Sequence, residues 1–255
     1  MSSVAATTIK KFPFIPIASV AGLITIWWLG SLGLGRESLP LPTDVLAEIT
    51  RYTESGELLV HIGITLWRVI ASFTLAIFIG MTIGLLMGTS MRANEILDPW
   101  LLFFLNLPAL VVIILAYIWL GLTEVAAILA VAVNKIPNVV VTLREGARAM
   151  DSGLHNMAHV FQFGWWKWLR HVVMPQLAPY IAAATRSGIS LIWKIVLVVE
   201  LLGRSDGVGF QLHLQFQLFN IAGIMAWGLT FVIIMQFVEL FLVQPFERYV
   251  NRWRK

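Results

Sequence analysis

Residues 151–179 read DSGLHNMAHVFQFGWWKWLRHVVMPQLAP, an amphipathic stretch inside a chain otherwise made of long apolar runs. Asp151 carries a side chain of the kind that caps helix starts by accepting from early backbone N–H groups. After it, Leu154, Met157, Ala158 and Phe161 recur at i, i+3, i+4 and i+7 and form one apolar stripe. His155, His159 and Gln162 fall on another face. Gly164 permits a break, Trp165 to Val173 suits a second short helix, and Pro175, lacking an N–H, is expected to end it. The stretch predicts two short helices in an elbow, flush with a membrane whose spans precede and follow it.

The apolar runs put the chain in that membrane. Of its 255 residues 58% are hydrophobic and 13% charged, against roughly 25% charged in soluble domains. A helix needs about 20 mainly apolar residues to cross a bilayer. Six segments qualify: residues 14–34, 66–89, 99–121, 124–142, 181–202 and 220–243. The expected fold is an all-α membrane protein with one transmembrane domain over 1–255 and a long loop at 143–180. The first run is too long for a signal-peptide core and reads as a retained span. With no cysteine, thiolate metal sites, disulfides and cysteine nucleophiles are excluded.

Local signals refine this plan. Pro108 in the third span and Pro137 in the fourth predict kinks. Gly80, Gly84 and Gly88 either let the second span approach a neighbour closely or reflect the high glycine content of membrane helices. Pro40 and Pro42 form a stiff lead-in to an amphipathic helix capped by Asp44 or Thr43. Lys10, Lys11, Arg92, Arg144, Arg148, Lys167, Arg170, Arg248, Arg252, Arg254 and Lys255 fall on one side of the membrane, and only Arg36, Arg51 and Arg204 on the other. Positive residues mark the cytoplasmic side, so both termini and the 143–180 loop are expected in the cytoplasm. The formal charge of +4 belongs to that bias and not to nucleic-acid binding.

Three readings compete for the elbow. Its Trp and Lys cluster suits a membrane-surface helix. Histidines at i, i+4 suggest zinc, but HNMAH lacks the Glu of H-E-x-x-H and a third ligand. The third reading is a helix docked into a partner protein, with Phe161 and Phe163 as anchors.

Here the sequence resembles a family. Permease subunits of ATP-binding-cassette importers carry, in their last large cytoplasmic loop, E-A-A, three residues, G, nine residues, then I-x-L-P. This chain is similar in spacing, with Asn156-Met157-Ala158, Gln162 and Val172-x-Met174-Pro175, although Asn156 replaces Glu and Gln162 replaces Gly. The runs LREGARAMDSGLHNMAHVFQF, WKIVLVVELLGRSDGVGF and LPLPTDVL resemble the nitrate, sulfonate and taurine branch. The resemblance covers about residues 20 to 250. It implies a type I importer fold with six spans and a coupling helix that sits in a groove of a cytoplasmic ATPase.

By that resemblance Asp151, Leu154, Asn156, Met157, Ala158, Val160, Phe161, Gln162, Phe163 and Gly164 form the ATPase contact. The implied partners are a second copy of the chain, two ATP-binding-cassette ATPases, an extracytoplasmic binding protein received by loops 35–62 and 203–219, and lipid of a bacterial inner membrane. The cargo is a small anion such as nitrate, bicarbonate, taurine or a sulfonate. The chain has no G-x-x-x-x-G-K-[ST] and no Gly-Lys pair, so ATP and Mg are expected on the partner ATPase. GRSDGVG reads as a turn.

Charged groups inside spans need a partner, a wet cavity or a route to the interface. Lys194, near the middle of the fifth span, is the strongest pathway cation; Asn106, Asn134 and Glu200 complete the candidate pathway, and Lys135 is expected to snorkel. Two other classes stand against the permease. A gradient-driven transporter would be expected to show paired broken spans or a carboxylate relay. A membrane enzyme needs a converging nucleophile and base, yet His155, His159 and His171 fall on one side and His61 and His213 on the other.

Overall fold

The structure, a computed structural model, describes residues 14–251; Lys10, Lys11, Arg252, Arg254 and Lys255 of the charge bias lie outside them. Among the described residues the regular elements are all helical. They are α1 (Phe14–Leu34), α2 (Pro42–Glu54), α3 (Glu57–Thr89), α4 (Met91–Leu105), α5 (Ala109–Leu120), α6 (Glu124–Arg148), α7 (Ser152–Val160), α8 (Trp165–Trp168), α9 (Met174–Gly203), α10 (Val208–Gln217), α11 (Ile221–Val238) and α12 (Gln244–Asn251). Two π-turns, Leu169–Val173 and Glu239–Val243, join α8 to α9 and α11 to α12.

Among the described residues four helical stretches are long and apolar enough to span: Glu57–Thr89, Glu124–Arg148, Trp165–Gly203 and Ile221–Val250. The α4 and α5 pair adds a fifth if its halves count as one span. That pair corrects the expectation of a kinked helix over 99–121, because α4 and α5 meet at 96°. Pro108 has no N–H to continue the ladder and pushes Leu107 out of the helical region. Asn106 closes α4 instead, its side-chain amide donating to the Leu102 carbonyl at 2.8 Å. By contrast α6 runs without interruption through Pro137.

The second correction concerns Pro175. It does not end the elbow; α8, the π-turn and α9 form one continuous helix from Trp165 to Gly203. In an α-helix the proline ring collides with the carbonyl four residues back. The π-turn widens the backbone just before Met174–Pro175 and relieves that contact. The same device recurs before Gln244–Pro245. The lead-in also differs in detail: Leu41 is the cap of α2, Pro42 opens its first turn, and Asp44 accepts from the Leu41 N–H at 3.1 Å.

The centre of the bundle is the pairing of α3 with α6, which run parallel. A Cβ added at Gly80 would stand 2.6 Å from Val139 Cβ, and one at Gly84 would stand 2.9 Å from both Leu143 Cβ and the Val140 carbonyl. The glycine stripe is therefore a packing surface. Helix α9 closes this pair, with Ala184, Ile192, Val196 and Val199 buried against it. A second core gathers α2, α3, α10 and α11 around Trp227, whose ring lies 5.1 Å from Tyr52 and 5.7 Å from His61. Helix α1 joins through Trp27, whose indole N–H donates to the Pro40 carbonyl at 2.9 Å.

Gly80→Val is expected to lower the thermal unfolding midpoint of the detergent-solubilised protein, because overpacking of this kind costs about 1–3 kcal/mol. Gly63→Ala, also in α3 but where a Cβ meets nothing within 4 Å, should not lower the midpoint, since alanine is favoured over glycine in a helix interior by about 0.5–1 kcal/mol.

Candidate functional site

Three groups of polar residues stand out from the apolar bundle. The first is an ion cluster where α3, α6 and α9 meet α10. Arg68 is buried in α3, and all five of its N–H donors are used. Nε and Nη2 grip the Glu124 carboxylate at 2.9 and 2.7 Å. Nη1 donates to Glu200 at 2.9 Å and to the Asp206 carbonyl at 3.0 Å, and Nη2 also reaches the Asp206 carboxylate. Glu200 in turn accepts from the Thr65 hydroxyl at 2.9 Å and the Gly209 N–H at 2.8 Å. Gly207, at φ +99°, lets the backbone fold directly over that carboxylate, where any Cβ would collide with it. Its N–H donates to His61 Nδ1 at 3.0 Å. Arg204 flanks the cluster, 3.1 Å from Glu124, and donates to the Leu122 carbonyl at 2.6 Å.

This geometry bears on the candidate pathway. Glu200 is wholly enclosed and its carboxylate is committed to Arg68, Thr65 and Gly209, so it faces no open passage. The GRSDGVG turn is the lid of the cluster. Asn106 and Asn134 each donate to their own helix, Asn134 to the Ala130 carbonyl at 2.8 Å. Lys135 does not snorkel. It is buried, its stem fitting the notch left by Gly188 beside Phe73, with no hydrogen bond or ion pair among the described residues.

The second group lines an open groove of about 570 Å³ between α9 and the α11–α12 arm. Arg186, Ser187, Ser190 and Lys194 line it from α9, and Gln236, Glu239 and Glu247 from the other wall. Arg186 is held by Glu247 at 2.7 Å and by Glu239 at 3.7 Å. Lys194, also in the groove, has no carboxylate partner among the described residues; its ammonium lies 5.5 Å from the Trp193 ring centre. The sequence singled out Lys194 but not Arg186.

The third group is the elbow. Asp151 caps α7, accepting from the Gly153 N–H at 2.7 Å, while its own N–H donates to Gln176 at 2.7 Å. Trp168 braces the elbow by donating to His155 Nδ1 at 3.3 Å. Among the described residues no group of three His, Cys, Asp or Glu is placed to hold a metal. Ala158 packs inward, whereas Val160 and Phe161 are 76% and 70% exposed. The helix ends in a Schellman turn: Phe163 N–H donates to Ala158 at 2.9 Å and Gln162 N–H to His159 at 3.0 Å. That turn needs a left-handed residue, and Gln162 takes it at φ +50°. Gln162 thus holds a left-handed conformation that glycine adopts without strain.

A membrane bundle with a buried charge cluster at one end, a polar groove and an amphipathic elbow at the other defines a multi-pass transport component. Residues 76–255 match the family described as binding-protein-dependent transport system inner membrane component, and the chain belongs to it. Over most of its length it is similar to the putative aliphatic sulfonates transport permease protein SsuC of Bacillus subtilis (strain 168), 31% identical over 236 residues that cover 92% of this chain and 85% of that one. It is 26% identical over 255 residues to the bicarbonate transport system permease protein CmpB of Synechococcus elongatus, covering 94% and 88%. The fold matches a crystal structure of an amino acid ABC transporter with histidines at a TM-score of 0.62 over 78% of this chain and 97% of that one, at 19% identity. The chain is a transport component and not an enzyme.

Arg68→Met should destabilise the fold by about 3–5 kcal/mol, because it strands the buried Glu200 carboxylate; denaturation in detergent reads the loss. Gln162→Gly should slow amide exchange at Gln162 and Phe163 several-fold, since it relieves about 1 kcal/mol of left-handed strain.

Proposed function

We propose that this chain is the pathway-forming subunit of an ATP-driven importer of small oxyanions, the chemical class shared by the sulfonate and bicarbonate named for its relatives. The observation that carries the reading is Lys194, exposed in the polar groove without a carboxylate, while its neighbour Arg186 has two. Unpaired charge facing lipid costs roughly 2.5–3.5 kcal/mol per group, so the groove belongs against water and a second copy of the chain. In that pair Lys194 offsets the charge of the passing anion. The gradient-driven alternative has no support among the relatives.

In this reading the six spans are α1, α3, the α4–α5 pair, α6, α9 and α11, with both termini in the cytoplasm of a bacterium and the chain in its inner membrane. The elbow then lies on the cytoplasmic side as a coupling helix, gripped by one of two ATP-binding-cassette ATPases that carry ATP and Mg. Residues 151–164 are the contact, with Val160 and Phe161 as its apolar tip. Asp151 and the Schellman turn hold the helix in shape, and Trp165 and Trp166 lie at the bilayer interface. An extracytoplasmic binding protein delivers cargo at the end that holds the ion cluster.

Two substitutions test this. Lys194→Met in the reconstituted importer should cut uptake of the transported anion more than tenfold while the ATPases still co-purify; undiminished uptake would rule out the pathway role. Phe161→Asp should abolish ATPase co-purification, since it places an unpaired charge in the contact, and unchanged assembly would mean the grip lies elsewhere.

A further inference from the structure

Arg68 and Arg186 make an informative comparison. In Arg68 the Nε and Nη2 donors act as a fork and hold the Glu124 carboxylate by two parallel bonds of 2.9 and 2.7 Å. In Arg186 the same fork is unfilled. Only Nη1 is bonded, to Glu247 at 2.7 Å. Nε stands 3.7 Å from Glu239, beyond hydrogen-bond reach, and Nη2 makes no hydrogen bond among the described residues. The Arg186 side chain is 52% exposed and lines the groove that also holds Lys194. A guanidinium anchored by one nitrogen, lining an open polar groove with Nε and Nη2 unbonded, can receive an anion with two adjacent oxygens.

We infer that Arg186 is a second anion station, selective for oxyanions such as carboxylates, sulfonates or nitrate over spherical anions, and that Glu239 and Glu247 set how firmly it holds them. The inference rests on the pathway reading of the groove. Eight residues separate Arg186 from Lys194, about 12 Å along the helix, so one small anion passes from one cation to the other without touching both. The stations differ in chemistry. Lys194 is a mobile point charge that attracts any anion, whereas the Arg186 fork reads the spacing of two oxygens. Glu247 positions the guanidinium, and Glu239 stands at the mouth of the fork, where it competes with the cargo. Their negative charge keeps binding weak enough for release.

The test uses the membrane assembly of this chain with its ATPases in lipid nanodiscs, without binding protein, and measures binding of ethanesulfonate, nitrate, bicarbonate and chloride by calorimetry. At least one oxyanion should bind more tightly than chloride. Arg186→Lys, which keeps the charge and removes the fork, should weaken that anion at least fivefold and leave chloride unchanged. Glu239→Gln should tighten it at least threefold. Unchanged oxyanion affinity in Arg186→Lys, or no preference over chloride in the parent assembly, overturns the inference. Lys194→Met separates the two readings. If it alone abolishes binding, the groove carries the anion and the second station is wrong. If it weakens every anion alike while the Arg186→Lys effect persists, both stand; if binding ignores Lys194 but follows Arg186, the station stands and the Lys194 role falls.

Discussion

The guanidinium of Arg68 is the point on which the bundle depends. A lone arginine buried in a membrane helix is untenable, and so is a lone carboxylate at Glu200; each makes the other possible. Because Arg68 uses five donors on three carboxylates and a carbonyl, it fixes the ends of α3, α6 and α9 and the turn before α10 in a single arrangement. The glycine stripe then zips α3 to α6 down the rest of their length. At this end of the bundle all five Arg68 donors are filled, whereas the groove between α9 and the α11–α12 arm is open and only partly paired. Any relative movement of helices falls more easily on the groove than on the cluster.

That contrast also divides the charged residues by role. Arg68 and Arg186 both meet two carboxylates or more, but the first is saturated and buried while the second keeps donors free in an open cavity. Residue type alone does not separate structure from recognition here. The count of filled donors does.

Much of the architecture was legible in the sequence because it follows from local rules. Apolar runs gave the helices, the side chain of Asp151 its cap, and the four-residue spacing of Gly80, Gly84 and Gly88 a contact face as one of two readings. What stayed hidden depended on partners far along the chain or on backbone geometry. Glu200 looked like a pathway residue because its helix offers no partner; its cation is 132 residues away, on α3. Two opposite charges in two separate apolar runs, each costly alone, were the available signal for pairing. Lys135 was expected to snorkel because the notch at Gly188 exists only once α6 meets α9. Pro108 and Pro175 look alike as helix breakers, yet one breaks the chain by 96° and the other is absorbed. Gln162 gave no sign of a left-handed turn because the residue type that signals one is absent.

The π-turns before Pro175 and Pro245 have a consequence for how this chain lines up with others. A π-turn is an α-helix with one extra residue let into it, so the side chains after it are rotated by about 100° relative to an unbroken helix. The faces that α9 and α12 turn toward the groove are thus offset by one position from the helices that lead into them. Aligned without a gap to a chain that lacks one of these turns, this chain would have groove-lining positions paired with lipid-facing ones beyond it, however well the flanking residues agree.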